Sequence, residues 1–451
     1  MTPFPLAHVV RKGDPLWPPA SPPPPRVCIR TLGCKVNQCD SDEMARSLLA
    51  RGFDVVEDGA ADLYLINTCT VTATADAKAR KLARKLAREH PGSALVLTGC
   101  WAQRDPVAAA ALPQVAAVVP NDQKSEIGEI ASRLLGRSVA PATPRRPFGR
   151  SVGFARLGRT RAFVKIQDGC DHHCAYCAVP QARGRPASRP LPQVLDHLWR
   201  LADAGIQEVV LCGIRLGAYA PEQPDTPALA DLLGGVRDLP IPRLRLSSIE
   251  PMDADERLLS QLADHPTVCH HLHLPLQSGD DAVLAAMGRG YTAGEYAQTV
   301  ARVRAIWADA AITSDVMVGF PGESDEQFER TVRFVREIGF SRLHVFAYSP
   351  RPGTAAAQRD DQIPASVRRQ RAACLLAVAA DLAQRAALSW VGREVRLLAE
   401  KETKVGELTG LTEQYLRARC PGPRDWIGRI VAAKVRRVAA GELMAHAQTS
   451  A

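Results

Sequence analysis

Read for the spacing of its apolar residues, the chain from Arg26 onward alternates between two periods. Runs with strand character at Arg26–Leu32, Asp62–Ile66 and Ala94–Leu97 are separated by helical spacing. Ser41 to Arg51 sets Met44, Leu48 and Leu49 on one helical face and closes at Gly52, and Asp76 to His90 predicts a second helix with Lys78, Lys81, Lys85 and Arg88 on one face. This predicts an N-terminal open α/β domain over residues 26–140. Six further strands follow, at Arg161–Ile166, Glu208–Cys212, Arg243–Ser247, His271–Leu274, Ile312–Val318 and Leu343–Phe346. With helical stretches between them they predict a partial (β/α)6 barrel within residues 156–386. Short runs at Val395–Ala399, Gly406–Thr412, Tyr415–Ala418 and Ile430–Val435 predict a small antiparallel β-barrel within residues 389–445.

Composition refines this plan. Residues 1–25 are proline-rich and end in Pro22–Pro25, which favours a disordered, extended tail, and residues 141–155 have the proline and arginine content of a linker. No run of 18 apolar residues occurs and the N-terminus lacks the apolar core of a signal peptide, so the expectation is a cytoplasmic protein without a membrane partner. Twelve cysteines without a secretory signal point to reduced thiols and metal ligation rather than disulfides. A net charge of +9 favours an acidic partner such as nucleic acid. From Ser389 onward 11 Lys or Arg face 7 Asp or Glu, and Arg417, Arg419, Lys434, Arg436 and Arg437 are the candidate RNA-binding cations.

The candidate chemistry lies in two sets of three cysteines. Cys170, Cys174 and Cys177 follow a predicted strand with the spacing CxxxCxxC, so three thiolates can converge from one loop. A zinc knuckle completed by His172 or His173 is the competing reading. Cys34, Cys69 and Cys100 each follow one of the three N-terminal strands, where open α/β sheets bind ligands. That placement argues for a second three-cysteine centre, whereas Cys28 and Cys39 read as packing residues. Glycine-rich or polar turns after successive barrel strands, including Gly213, Gln277, Ser278, Gly319, Gly322 and Glu323, form a rim that suits close backbone approach to a ligand.

Thr31–Gln38 (TLGCKVNQ), Asn67–Thr70, Gly99-Cys100, the CxxxCxxC loop with Ala182–Arg185, and Val318–Glu323 together resemble the methylthiotransferases of the radical S-adenosylmethionine (SAM) superfamily. The resemblance covers nearly everything from Arg26 to about Gly441. The string TLGCKVNQ is similar to the type that modifies threonylcarbamoyladenosine at position 37 of tRNA. The resemblance implies a radical SAM barrel in the centre and a TRAM domain at the C-terminus. It implies two 4Fe-4S clusters, one on Cys170, Cys174 and Cys177 that cleaves SAM, and an auxiliary one on Cys34, Cys69 and Cys100. Tyr176, Gly213, Gln277, Ser278, Gly319, Gly322 and Glu323 would contact SAM. No side chain is assigned as a catalytic acid or base. The implied partners are the anticodon stem-loop of tRNA and a low-potential electron donor such as a flavodoxin or ferredoxin. Isopentenyladenosine in tRNA and a ribosomal-protein aspartate are the alternative acceptors, and a non-catalytic zinc-bearing RNA-binding protein is the alternative of another class. Cys39 and Asp40 stand where the family more often has tyrosine and glutamate, and Arg215 where it often has asparagine.

Overall fold

A computed structural model describes residues 23–136, 160–219 and 228–448. The proline-rich tail up to residue 22 and the linker 141–155 lie outside the described residues.

The N-terminal sheet is wholly parallel, with strands β1 (Arg26–Thr31), β2 (Asp54–Val56), β3 (Leu63–Thr68), β4 (Ala94–Gly99) and β5 (Val115–Val119) in the order β2-β1-β3-β4-β5. The sequence reading contained only β1, β3 and β4. Of the two it lacked, β2 has only three residues, whereas β5 is the apolar run Val115–Val119 on a half-exposed edge, a local signal that the reading passed over. Apolar layers cover both faces of the sheet, one built on Val27, Leu48 and Leu65 and the other on Tyr64, Leu86 and Trp101. The first helix begins at Lys35 rather than Ser41, with Cys34 as its extended N-cap. One extra turn and a half of helix therefore carries Asn37, Cys39 and Asp40 into buried positions.

The central strands are β6 (Arg161–Lys165), β9 (Glu208–Cys212), β10 (Arg243–Leu246), β11 (His271–His273), β12 (Ala311–Val318) and β13 (Arg342–Ala347), with a short antiparallel pair, β7 (Gln167–Asp168) and β8 (Ala187–Ser188), bracketing the cysteine loop. Two parallel three-stranded sheets, β6-β9-β10 and β11-β12-β13, are joined by bridges Leu244–Val268 and Ser248–His273 into one open barrel. Alternate residues such as Val209, Leu211, Leu244 and Ile312 face the surrounding helices in one apolar core. Their neighbours, among them Glu208, Arg243, Arg245, Thr313, Asp315 and His344, therefore face inward and give the barrel a polar interior. Val36 and Cys39 of the N-terminal helix pack on Phe163, Val210 and Cys212, so the first domain leans on the barrel wall at β6.

The last five strands are β14 (Glu394–Glu402), β15 (Glu407–Leu411), β16 (Arg417–Pro421), β17 (Ile430–Ala439) and β18 (Glu442–Ala447), and they close as β14-β15-β16-β18-β17. β18 was not expected from the sequence, and its pairing with β16 is the one parallel ladder in an otherwise antiparallel barrel. Tyr415, expected within a strand, instead precedes β16 in left-handed backbone (φ 63°). Among the described residues, no helix is long and apolar enough to cross a membrane.

Candidate active site

The central cysteine loop leaves the barrel after β6. Its Cys170 N–H donates to the Gly184 carbonyl at 3.1 Å, Cys177 N–H to the Cys174 carbonyl at 3.0 Å, and Ala175 N–H to Met287 at 2.9 Å. These bonds fix the loop without engaging its sulfurs. The sulfurs have donors of their own: backbone N–H of His172 to Cys170 and of Val179 to Cys177, both at 3.4 Å, and Arg289 Nη1 to Cys174 at 3.3 Å. Burial pushes the Cys177 thiol up to about 12, so the site needs a cationic centre before this sulfur carries its charge. Tyr176 packs with the cluster of Met287, Phe320 and Tyr348, which ties the Gly319–Glu323 turn to the cysteine loop.

The N-terminal trio is assembled from three strand ends. Cys34 caps the first helix, Cys69 directly follows β3, and Cys100 opens the short helix after β4. Gly33 (φ 103°) runs so close to Cys69 that an added Cβ would lie 2.9 Å from its sulfur. Cys69 and Cys100 are buried while Cys34 is exposed, so the trio is open on one side. Burial raises Cys69 to about 11.

Each trio offers three cysteine sulfurs, the donor set that suits an iron-sulfur cluster. Among the described residues, His273, Asp315 and His344 bring three metal-type ligand atoms within 4.8 Å of one another.

A buried charge hub joins the N-terminal helix to the barrel beside the base of the central cysteine loop. Asp40, 2% exposed, accepts hydrogen bonds from Lys124 at 2.7 Å, Lys165 at 2.5 Å and Arg183 at 2.9 Å. Arg183 also reaches Asn37 Oδ1 at 2.5 Å and holds both oxygens of Asp168 at 2.8 and 2.9 Å. Burial alone would raise the Asp40 pKa, but the three cations hold it well below the usual carboxylate range. Burial likewise opposes the charge of Arg183, yet Cys100, Asp40, Asp168 and Cys34 keep its pKa well above the ordinary value. Arg183 thus runs from the sequence just after Cys177 into the field of Cys34 and Cys100.

The rim residues expected around SAM separate into two groups. Gly213 sits against Gln167, and Gln277 adopts left-handed backbone (φ 70°) with its N–H on the Asp315 carbonyl. Ser278 is fully buried beside the Thr331 hydroxyl at 3.2 Å. Glu323 accepts from Gly319 N–H and from Arg371, both at 2.6 Å, while Cβ atoms on Gly319 and Gly322 would collide with Arg368 and Asp361. Ser278, Gly319 and Glu323 are buried, and Gly322 is exposed. Arg215 gives its guanidinium to Asp253 at 2.6 Å and lies 3.6 Å from Asp171.

Of the expected RNA contacts, Lys434, Arg436 and Arg437 are exposed on β17 and Arg417 on β16, and the ladders set Arg419 and Arg437 on either side of Met444. Arg419 is ion-paired with Glu442. The Lys78, Lys81, Lys85 and Arg88 face is exposed on the helix Ala73–Glu89.

Sequence reasoning missed Arg289, whose guanidinium touches Cys174, Tyr291 and Glu250 together, because a contact across 115 residues leaves no local signal. It also missed the polar lumen. There a signal existed: His271, His273, Asp315, Arg342 and His344 recur at every second position of strands read as buried, which marks one face of each as polar.

Comparison with known proteins agrees with this geometry. The model of the Radical SAM superfamily matches residues 164–335, and that described as Uncharacterized protein family UPF0004 matches residues 26–120. The chain is 37% identical to the Threonylcarbamoyladenosine tRNA methylthiotransferase MtaB of Thermotoga maritima over 88% of this chain and 92% of that one, and 36% identical to its Bacillus subtilis namesake over 91% and 93%. It is 33% identical to the tRNA-2-methylthio-N(6)-dimethylallyladenosine synthase of Bacillus velezensis, over 90% of this chain and 82% of that one. Among solved structures, the radical SAM methyltransferase TsrM from Kitasatospora setae shares the fold with a TM-score of 0.55 at 17% identity, over 74% of this chain and 77% of that one. With both domain models matched and relatives this similar over nearly their whole length, the chain belongs to the methylthiotransferase family of the radical SAM superfamily and is a transferase.

Proposed function

We propose that this transferase adds a methylthio group to carbon 2 of threonylcarbamoyladenosine at position 37 of tRNA. Cys170, Cys174 and Cys177 hold one 4Fe-4S cluster, Cys34, Cys69 and Cys100 hold a second, and SAM is consumed. The observation that carries this reading is Arg183, a single buried guanidinium that leaves the SAM-type loop and ends beside Cys34 and Cys100. Two cysteine trios, each one thiolate short of the four that complete a cluster, therefore share one interdomain seam.

The clusters and SAM supply the one-electron and sulfur-transfer chemistry that a strong, non-acidic carbon–hydrogen bond requires. The protein's own part is positional. Arg289 fixes Cys174 and is itself fixed by Glu250 and Tyr291, while Gly33 brings its loop against Cys69. The surplus positive charge of the hub, three cations against Asp40 and Asp168, suits a centre whose three thiolates are negative. Lys434, Arg436, Arg437 and Arg417 supply a cationic outer face for the anticodon stem-loop. Tyr176, Gly213 and Gln277 are the rim residues placed to contact SAM, and Ser278, Gly319, Gly322 and Glu323 support them. The reading puts the enzyme in the cytoplasm with a flavodoxin- or ferredoxin-type electron donor.

Mass spectrometry of tRNA nucleosides tests the target. Loss of the gene should abolish 2-methylthio-threonylcarbamoyladenosine while its precursor accumulates, and loss of the dimethylallyl product instead would reassign the substrate. Triple alanine replacement of Cys170, Cys174 and Cys177 should abolish SAM cleavage and leave an iron-sulfur chromophore on the N-terminal domain. Replacement of Cys34, Cys69 and Cys100 should leave deoxyadenosine formation and end methylthio transfer. Methylthiolated RNA from the second variant would sink the auxiliary assignment.

A further inference from the structure

At the floor of the barrel interior, the ring of Tyr415 is surrounded by cations. Lys35 Nζ lies 5.7 Å from the ring centroid, Arg342 Cζ 6.0 Å and Arg245 Cζ 5.1 Å, while His271 stacks on the ring at 4.7 Å. Arg245 is committed to Glu208 and to the carbonyls of Thr412 and Glu413. Lys35 is half-buried and Arg342 exposed to the open lumen, and neither has an anionic partner among the described residues. Three further features mark the place as built for a ligand. Tyr415 is held in left-handed backbone. His271 is 3% exposed with its Nδ1 unpartnered among the described residues. The summed positive field of Lys35, Arg161, Arg245 and Arg342 outweighs burial and lowers the Tyr415 pKa.

We propose that Lys35 and Arg342 bind the carboxylate of the threonyl group carried on N6 of the substrate adenosine. This deepens the function proposed above and rests on threonylcarbamoyladenosine being the substrate. The geometry of β13 supports it. Arg342, His344 and Phe346 share its inward face, and Phe346 is 38% exposed, so an aromatic surface for a base stands at the cysteine end and a cation at the floor. Four residues of strand separate them by about 13 Å, a drop that a purine and an extended threonylcarbamoyl chain cover together. Between the two levels Asp315 accepts from His344 Nδ1 at 3.0 Å and lies 3.4 Å from His273 Nε2, which places hydrogen-bonding groups beside the urea and hydroxyl of that chain. A dimethylallyl group in the same place would desolvate Lys35 and Arg342 and pair neither. Lys35 belongs to the TLGCKVNQ string that carries the resemblance to the threonylcarbamoyladenosine type.

The test uses the cluster-loaded full chain and anticodon stem-loops that differ only at position 37: threonylcarbamoyladenosine, its threonyl methyl ester, dimethylallyladenosine and plain adenosine. Anaerobic fluorescence anisotropy gives each Kd, and mass spectrometry gives the product. Wild type should bind the acid about ten- to a hundredfold more tightly than the ester, the range expected for hydrogen bonds to a charged group. Lys35→Met with Arg342→Gln should bring that ratio close to one. Equal affinity of wild type for acid and ester overturns the carboxylate site even while threonylcarbamoyladenosine is methylthiolated, and this comparison needs no variant. A double variant that weakens all four RNAs equally also overturns it, because Lys35 and Arg342 would then be phosphate contacts. Methylthiolation of dimethylallyladenosine alone defeats the functional reading itself.

Discussion

Two buried carboxylates, Asp40 and Glu208, each gather several cations at a seam of the central barrel, yet they join it in different ways. Asp40 comes from the N-terminal domain, and two of its three partners, Lys165 and Arg183, come from the barrel, so the charges themselves cross the seam. Glu208 belongs to the barrel, as do its partners Arg243 at 3.0 Å and Arg245 at 2.8 Å. Here the seam is crossed by the spare N–H groups of those arginines, which donate to the carbonyls of Arg396, Leu411, Thr412 and Glu413 in the C-terminal barrel. The first arrangement exposes a chemical site to charge from another domain. The second attaches a domain mainly through neutral acceptors, with Arg161 beside Glu208 adding one ion pair to Glu400 at 2.7 Å, and touches no cysteine trio. We read Asp40 as part of the working machinery and Glu208 as an anchor.

The largest expected effect is on stability at the anchor. Glu208→Gln leaves two fully buried guanidiniums without their counter-charge, and breaking such a pair costs about 3–5 kcal/mol. Burial would raise the Glu208 pKa, but Arg245 and Arg243 depress it to about 2 from 4.5. A depressed carboxylate contributes its stability above the unfolded value near 4.3 and loses it as pH falls toward the folded value. The thermal midpoint of the variant should therefore lie about 3–10 °C below wild type at neutral pH, with the gap narrowing below pH 4. Equal midpoints at pH 7 would remove the anchor from the comparison.

At the other carboxylate the expected pattern is reversed. Asp40→Asn leaves Arg183 its Nη1 shared between both oxygens of Asp168 and Lys165 its own bond there, so the loss of stability should be smaller, about 1–3 kcal/mol. Its main effect should fall on the N-terminal trio, seen as lower iron retention or a shifted potential of that centre, because Arg183 and Lys124 lose the anion that aims them. Uncoupled SAM cleavage by the central trio should change less than methylthio transfer. An Asp40→Asn variant that loses stability but keeps both centres unaltered would make Asp40 a second anchor.

The two hubs also show what a sequence can display. All six barrel strands and the three strands that end in cysteines were legible, since each is a local apolar run with a turn after it. Both cysteine trios were singled out on similarly local grounds, one by spacing and one by repeated position. Neither hub was. Asp40 was counted only as a departure from a family pattern and Glu208 only as the start of a strand, because their partners lie up to 143 residues away and no local period links them. β18 was lost because its apolar run between Glu442 and His446 is only three residues long, a weak signal on the wall of a small barrel.

The smallest effect should appear on the outer face of the barrel that Glu208 anchors. Lys434, Arg436 and Arg437 on β17 are exposed, whereas Glu442 pairs with Arg419 and lies 3.6 Å from the exposed Arg417 on β16, so the five candidate cations are unequal. Each phosphate contact releases counterions, and removing one flattens the dependence of log affinity on log salt by about one unit. Lys434→Ala, Arg436→Ala and Arg437→Ala should each weaken tRNA binding and flatten that slope, while Arg419→Ala should change it less because its charge is already paired at low cost to the surface. Binding titrations from low to moderate salt measure this directly. An unchanged slope across the three exposed variants would mean that the anchored barrel does not dock the RNA, and would move the search to Lys78, Lys81, Lys85 and Arg88 on the N-terminal helix, across the seam governed by Asp40.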